Sequence, residues 1–160
     1  AKSLLAYGKK KANSRSMVFG HWMESWGHWI SGNMDLSKKC SEKAMKAALD
    51  PFYYQFPKLS LGFSYLFEGQ LEEAEKIFRS AIEFSEKRNV GLITASCEIS
   101  LAPTLIAKGH MSEGMNLLKK AQKELFQYLY LLIIGKNKGP RLSTLFMMLS
   151  REHTKSLLTP

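Results

Sequence analysis

The chain has 160 residues, of which 45% are hydrophobic and 23% are charged, a composition that predicts one globular domain with enough apolar material for a core. It contains no apolar run of roughly 18 residues, so we expect no membrane-spanning helix. The net charge of +9 comes mainly from residues 1–16 and 136–160, and a middle that is close to neutral argues against a long phosphate-binding groove.

Residues 1–16 form a basic N-terminal segment with five Lys or Arg residues and no acid, and we expect a solvated tail. Nucleic-acid binding through the two basic ends is the alternative. The first residue is not Met, which favours a segment of a longer or processed polypeptide. Cys40 and Cys97 stand alone without a metal-type spacing, so we interpret them as buried thiols in a reducing cytoplasm.

Residues 17–49 predict a first pair of helices. The first helix extends to about Ser31, Gly32 and Asn33 interrupt the pattern, and the second helix covers about 35–49. Pro51 then ends the pair, since proline lacks a backbone donor and its ring clashes with the preceding turn.

One polar group in the first helix has the composition of a metal site. His21, Glu24 and His28 lie at i, i+3 and i+7. The rise of a helix separates the two histidines by about 10 Å, which is too far for one ion. We therefore predict no metal, no cofactor and no catalytic residues, and we note that no phosphate-binding glycine loop is present.

Residues 55–88 give the clearest pattern in the chain, two amphipathic helices that meet at a glycine. Leu59, Phe63 and Leu66 recur about one turn apart before Gly69. A second helix follows from about residue 71, with acidic residues in its first turn, where they complement the helix dipole. We expect its buried face to consist of Ala74, Ile77, Phe78 and Ala81.

This pair resembles a tetratricopeptide repeat (TPR) at seven positions, although Lys58 replaces the early Trp and the closing Pro is absent. The seven positions are Leu61, Gly62, Tyr65, Gly69, Ala74, Phe78 and Ala81. The resemblance implies an all-α fold, a right-handed superhelix of stacked antiparallel helical hairpins with a C-terminal capping helix. We assign about three such hairpins to residues 17–134.

Two weaker copies flank the central one, at offsets of 37 and 40 residues. In the first copy Gly32, Ser37 and Ala44 correspond to Gly69, Ala74 and Ala81. The third copy places small and aliphatic residues at the seven positions, namely Leu101, Ala102, Leu105, Gly109, Gly114, Leu118 and Ala121. This long pitch resembles the TPR regions of bacterial signalling ATPases, nucleotidyl cyclases and transcriptional activators, which implies a regulatory or scaffolding role.

The C-terminal part departs from the repeat length. We expect the helix that begins near Met111 to continue to Ile134, because no turn residue precedes Gly135. Residues 135–160 read as a basic linker followed by a terminal helix with Leu142, Leu145, Phe146 and Leu149 at helical spacing. That helix would cap the array, while a homodimer contact or a surface that docks the rest of a longer protein are alternatives.

In this family the first helix of each hairpin lines the concave face, and those positions are mainly apolar and aromatic here. The predicted groove consists of Phe19, Trp22, Trp26, Trp29, Phe56, Leu59, Phe63, Leu66, Phe67, Ile99 and Ile106. Such a groove would bind an amphipathic helix or an extended apolar peptide. The alternatives are burial within the chain, by neighbouring helices or by a folded-back 129–134 segment, and a small apolar ligand.

The sequence therefore predicts a non-enzymatic protein–protein or peptide interaction module. The alternative is the regulatory or sensory C-terminal TPR region of a larger signalling ATPase, nucleotidyl cyclase or transcriptional regulator. In that case the upstream domains of the same polypeptide would be the partner.

Overall fold

The structure, a computed structural model, describes residues 1–135, apart from the side chains of residues 133 and 134. Within this range the chain forms helices and no strands. The helices are α1 (Lys2–Lys11), α2 (Ser14–Ile30), α3 (Met34–Ala47), α4 (Pro51–Phe67), α5 (Leu71–Glu86), α6 (Gly91–Ala107) and α7 (Met111–Ile134). None of the described helices is long and apolar enough to cross a membrane.

The three predicted glycine breaks are confirmed, and they close the hairpins in the same way. Gly32, Gly69 and Gly109 have φ values of 77°, 75° and 89°, a left-handed conformation that costs glycine little. In each case the next residue donates its backbone N–H to a carbonyl five positions earlier, at 2.8–2.9 Å. This bond satisfies a free carbonyl at the helix end, as in a Schellman motif, and turns the chain back on itself.

The hairpins stack so that their first helices lie nearest to one another. Each helix packs on the next one along the chain, and α2 also packs on α4 and α4 on α6. The second helices α3 and α5 make no such contact with each other. An array whose first helices touch and whose second helices diverge curves around the first helices, so α2, α4 and α6 line the inner face.

The packing inside each hairpin depends on a matched pair of side chains. In the central hairpin, a Cβ on Gly62 would lie 2.6 Å from Cε1 of Phe78, whose side chain is fully buried. In the first hairpin the equivalent positions are Ser25 and Ser41, whose hydroxyl oxygens are 2.8 Å apart. The glycine is thus required where the partner is large, and a hydroxyl fits where the partner is small.

The N-terminal segment differs from the predicted solvated tail, because most of it is the helix α1 and packs on α2. A Cβ on Gly20 of α2 would lie 2.6 Å from Cγ of Leu5, and a Cβ on Gly8 would lie 2.9 Å from Cγ of Met17. The lysines outnumber the apolar residues at the end of α1, so the sequence does not reveal the apolar face that packs on α2. Glycine on each helix lets the two backbones approach closely.

The long α7 confirms the predicted continuation to Ile134. Within the described residues, α7 packs along α6, and at its start Glu113 also lies 3.6 Å from Arg79 of α5. The alternative in which residues 129–134 fold back over the groove is therefore wrong: α7 continues as one helix along α6. The predicted terminal helix at Leu142–Leu149 lies outside the described residues.

Candidate interaction surface

Aromatic side chains join α2 to α4 along the inner face. Their ring centroids are 5.7 Å apart for Phe19 and Phe56, 5.3 Å for Trp22 and Phe56, 6.0 Å for Trp26 and Phe63, 5.8 Å for Trp29 and Phe63, and 5.2 Å for Trp29 and Phe67. Along the seam the residue numbers of the paired rings increase in both helices, so α2 and α4 run parallel. We call this set of seven residues the aromatic seam.

The helical repeat explains why these residues come together. Phe19, Trp22, Trp26 and Trp29 follow one another at three- or four-residue steps, so they form one stripe along α2. Pairs of this kind, tilted or edge to face, add about 0.5–1.5 kcal/mol each beyond the burial of their area. The seam is consequently a rigid surface rather than a set of independent side chains.

Much of the seam is still accessible. Most of its rings are half-buried, and Phe67 is 62% exposed. Ile30 and Met23 on α2 are 74% and 51% exposed, and both lie on the solvent side of the helix that carries the tryptophans. Neighbouring helices therefore cover part of the predicted groove, and an apolar edge remains open along the C-terminal half of α2 and at the end of α4.

Two donors in the seam have no acceptor. Nε1 of Trp22 donates to Oγ of Ser60 at 2.8 Å. Nε1 of Trp26 and Nε1 of Trp29 are buried and have no hydrogen-bond partner within the described residues. Their two indole rings meet edge to face at 5.2 Å. An unpaired buried donor costs about 1–3 kcal/mol, so this arrangement is not explained by stability alone.

The α6 side of the predicted groove is different. Leu59 and Leu66 pack against the hydrophobic core cluster that contains Phe78 and Leu105. Ile106 lies against α7, since a Cβ on Gly114 would be 2.6 Å from its Cγ1. Ile99 is half-buried, and no aromatic ring accompanies it on α6. The structure thus brings the aromatic residues together and leaves the four aliphatic ones outside the seam.

Sequence reasoning missed three residues at the N-terminal end of the seam. The Tyr53 ring meets the Phe19 ring edge to face at 5.8 Å, and Phe52 lies 5.5 Å from Phe56. The guanidinium carbon of Arg15 lies 5.0 Å from the centre of the Tyr53 ring, within the range of a cation–π contact. The spacing of four residues between Phe52 and Phe56 was the available signal.

The polar residues that were considered for metal binding do not converge. Nδ1 of His21 lies 3.2 Å from Oε2 of Glu24, and His28 does not join them. In the described part of the chain, no three His, Cys, Asp or Glu residues are grouped as metal ligands. Cys40 and Cys97 are free and buried, and burial raises the pKa of the Cys97 thiol to about 12. A thiol with so high a pKa is a poor nucleophile at neutral pH.

Comparison with known proteins gives one match. Residues 58–88 match a family model described as a tetratricopeptide repeat. Searches of curated proteins and of solved structures found no match. The matched residues comprise most of α4 and all of α5, the hairpin in which the sequence pattern is clearest. The match and the consecutive pairing of the helices fit a TPR-like repeat protein.

Proposed function

Because the helix pairing and the matched hairpin fit a TPR-like repeat protein, we propose that the chain is a non-enzymatic interaction module that binds an apolar peptide or helix of another protein along the aromatic seam. The observation that carries this proposal is the open apolar edge of Phe67, Ile30 and Met23 beside interlocked rings. An interlocked surface loses little side-chain entropy on binding, so a larger part of the contact energy contributes to affinity.

The kind of ligand follows from the shape and chemistry of the seam. The rings form a continuous stripe along α2, a feature that suits a helix or strand with apolar residues at regular spacing. Burying one such aromatic side chain contributes about 1.5–3 kcal/mol.

A second candidate is the regulatory region of a larger signalling ATPase, nucleotidyl cyclase or transcriptional regulator. Leu4 and Tyr7 on the outer side of α1 are 39% and 53% exposed, and this favours an additional helix that stacks on α1. Upstream domains of the same polypeptide would then be the partner. The two free, buried cysteines favour a reducing compartment such as the cytoplasm in either case.

The test uses the tryptophans as reporters, because all three lie in α2. Twelve-residue peptides that bind the full chain are selected from a random library. Their dissociation constants are then measured by tryptophan fluorescence and by fluorescence anisotropy. We expect the selected peptides to be rich in apolar residues. Replacing both Phe67 and Ile30 with Ala should weaken their binding about tenfold or more, because two exposed apolar contacts are lost.

The matched control is Leu36→Ala, which removes an apolar side chain that is 46% exposed on α3. This variant should bind the peptides with unchanged affinity, and circular dichroism should show the same helicity for all variants. Peptides whose affinity does not respond to the Phe67 and Ile30 substitutions would refute binding at the seam.

A further inference from the structure

A basic depression lies at the N-terminal end of the aromatic seam. Two clefts of about 380 and 350 Å³ adjoin there and share Ala12, Ser14 and Leu49 in their walls. The connection between α1 and α2, the end of α3 and the start of α4 form these walls. Lys9, Arg15 and Lys46 contribute the positive charges, and we call the two clefts together the basic cleft.

The basic cleft keeps a net positive charge, and none of its cations forms an ion pair within the described residues. Lys9 and Lys46 have no ion pair there, and Arg15 lies over the Tyr53 ring rather than beside a carboxylate. Asp50 also lines the cleft, and its carboxylate accepts the N–H of Phe52 at 2.8 Å at the start of α4, so three cations there stand against one anion. The first turn of α2 carries no acidic residue, so the positive end of its dipole adds to the potential.

The basic cleft is continuous with the seam. Tyr53 lines the cleft and its ring meets Phe19 of the seam edge to face at 5.8 Å. Leu49, at 87% exposure, provides an apolar lip between the two clefts. A chain that follows the seam past Phe19 therefore reaches three cations within the same surface.

We propose that the basic cleft binds the acidic residues of the peptide that occupies the seam, so that the ligand is an apolar segment flanked on one side by Asp or Glu. This proposal rests on the proposed function and specifies its ligand. Charge complementarity carries it: the cleft has three cations and one carboxylate, none of the cations forms an ion pair within the described residues, and such a site attracts carboxylates and accelerates their association.

Nucleic acid fits the basic cleft less well than an acidic peptide. Single-stranded nucleic acid binds by stacking its bases on exposed aromatic faces along a basic track. Tyr53, the aromatic side chain of the cleft, has its ring covered by Arg15 on one side and packed against Phe19. A carboxylate needs no such face and can approach the guanidinium at its edge.

A first experiment tests anion binding at the basic cleft with a peptide that has no apolar residues for the seam. A fluorescein-labelled hexaglutamate peptide is titrated with the full chain at low salt, and hexaglutamine serves as the neutral control. We expect hexaglutamate to bind and hexaglutamine not to bind. Arg15→Gln combined with Lys46→Gln should weaken hexaglutamate roughly tenfold, whereas Lys119→Gln with Lys123→Gln, two exposed lysines of α7, should not.

A second experiment joins the cleft to the seam. A peptide selected on the seam is made with a flank of three Glu, three Gln or three Lys. The Glu form should bind most tightly, and this advantage should disappear at high salt and in the Arg15→Gln, Lys46→Gln variant, while the Gln form should be unaffected. Arg15→Lys keeps the charge and should retain much of the advantage.

The outcomes separate the two proposals. If the three flanks bind equally although the Phe67 and Ile30 substitutions still weaken binding, the acidic ligand is refuted and the seam stands. If no peptide responds to the seam substitutions while hexaglutamate binds at the cleft, the seam is refuted. Tighter binding of a 16-nucleotide single-stranded DNA than of hexaglutamate, lost in the same cleft variant, would overturn the choice of a peptide.

Discussion

Gly62 and Phe78 show how one contact fixes the distance between two helices. The Phe78 ring occupies the space that a side chain at position 62 would need, and its full burial leaves it no room to move. In the first hairpin the same two positions hold Ser25 and Ser41, joined by a hydrogen bond. A hydrogen bond of this kind is worth about 1 kcal/mol, less than the several kcal/mol of a buried Phe. The central hairpin is thus the better packed one.

We expect Gly62→Ala to destabilise the protein by about 1–3 kcal/mol, because the added methyl group overpacks a closed core. The control is Gly27→Ala in the last turn of α2, where an added Cβ meets no atom within 4 Å. This substitution should stabilise the protein by about 0.5–1 kcal/mol through helix propensity. The free energy of unfolding from urea denaturation checks both values. Equal effects at the two glycines would contradict the packing argument.

At the scale of the helices, one ion pair recurs between successive hairpins with its charges exchanged. Lys38 is the fifth residue of α3, and its Nζ lies 2.7 Å from Glu68, which follows the end of α4. Glu75 is the fifth residue of α5 and lies 2.6 Å from Nζ of Lys108, which follows the end of α6. The Lys108 and Arg79 contacts lower the pKa of Glu75. The two ion pairs occupy equivalent positions in successive hairpins, but the cation and the anion have exchanged places.

This exchange predicts a measurable coupling. Lys38→Glu should destabilise the protein by about 0.5–1 kcal/mol or more, since it places like charges beside each other at a site where the two side chains are 19% and 24% exposed. The double substitution Lys38→Glu with Glu68→Lys should recover that loss, because it rebuilds the order of charges seen at Glu75 and Lys108. Urea denaturation of the two single variants and the double variant gives the coupling energy.

A vanishing coupling energy would contradict this interpretation. Salt provides a further control, because 1 M NaCl should screen the pair and reduce the measured coupling. Gly27→Ala, which changes no charge, should keep its effect at both salt concentrations.

The helices themselves could be predicted where the sequence contains strong stop signals. Gly32, Gly69 and Gly109 mark hairpin turns because few other residues adopt their backbone conformation, and all three were identified. The helix α1 was missed, because its packing depends on Gly8 and Gly20 meeting side chains of another helix. Such contacts between distant positions leave no periodic pattern in the segment itself.

Across the whole molecule, the inner face changes from aromatic to aliphatic along the array. The sequence indicated the aromatic stripe of α2 correctly because helical spacing alone aligns its members. It did not indicate that Ile106 turns towards Gly114 of α7, or that Arg15 covers Tyr53. Both depend on how far one helix is rotated about its axis relative to the next, which a periodicity of 3.6 residues does not determine.

The C-terminal end of the array leads to the last prediction. With 24 residues, α7 is longer than the 17-residue α6 on which it packs, and its final turns carry exposed apolar side chains. Leu132 is 76% exposed and Leu131 is 45% exposed. An apolar helix end of this kind is covered either by the capping helix that the sequence predicts at 142–149 or by a second copy of the chain.

We expect the capping helix to cover this surface, so the 160-residue chain should sediment as a monomer at about 10 µM. A chain that ends at Gly135 should instead associate through α7, because protein interfaces form from such apolar surfaces. Leu132→Glu should return the shortened chain to a monomer, since a charge at the centre of the contact is not paired. Leu36→Glu, an equally apolar but distant position on α3, should leave its association unchanged. If the shortened chain stays monomeric, the exposed apolar end of α7 does not drive association and the prediction is wrong. Dimerisation of the full chain that Leu132→Glu abolishes would instead assign the surface to a second copy.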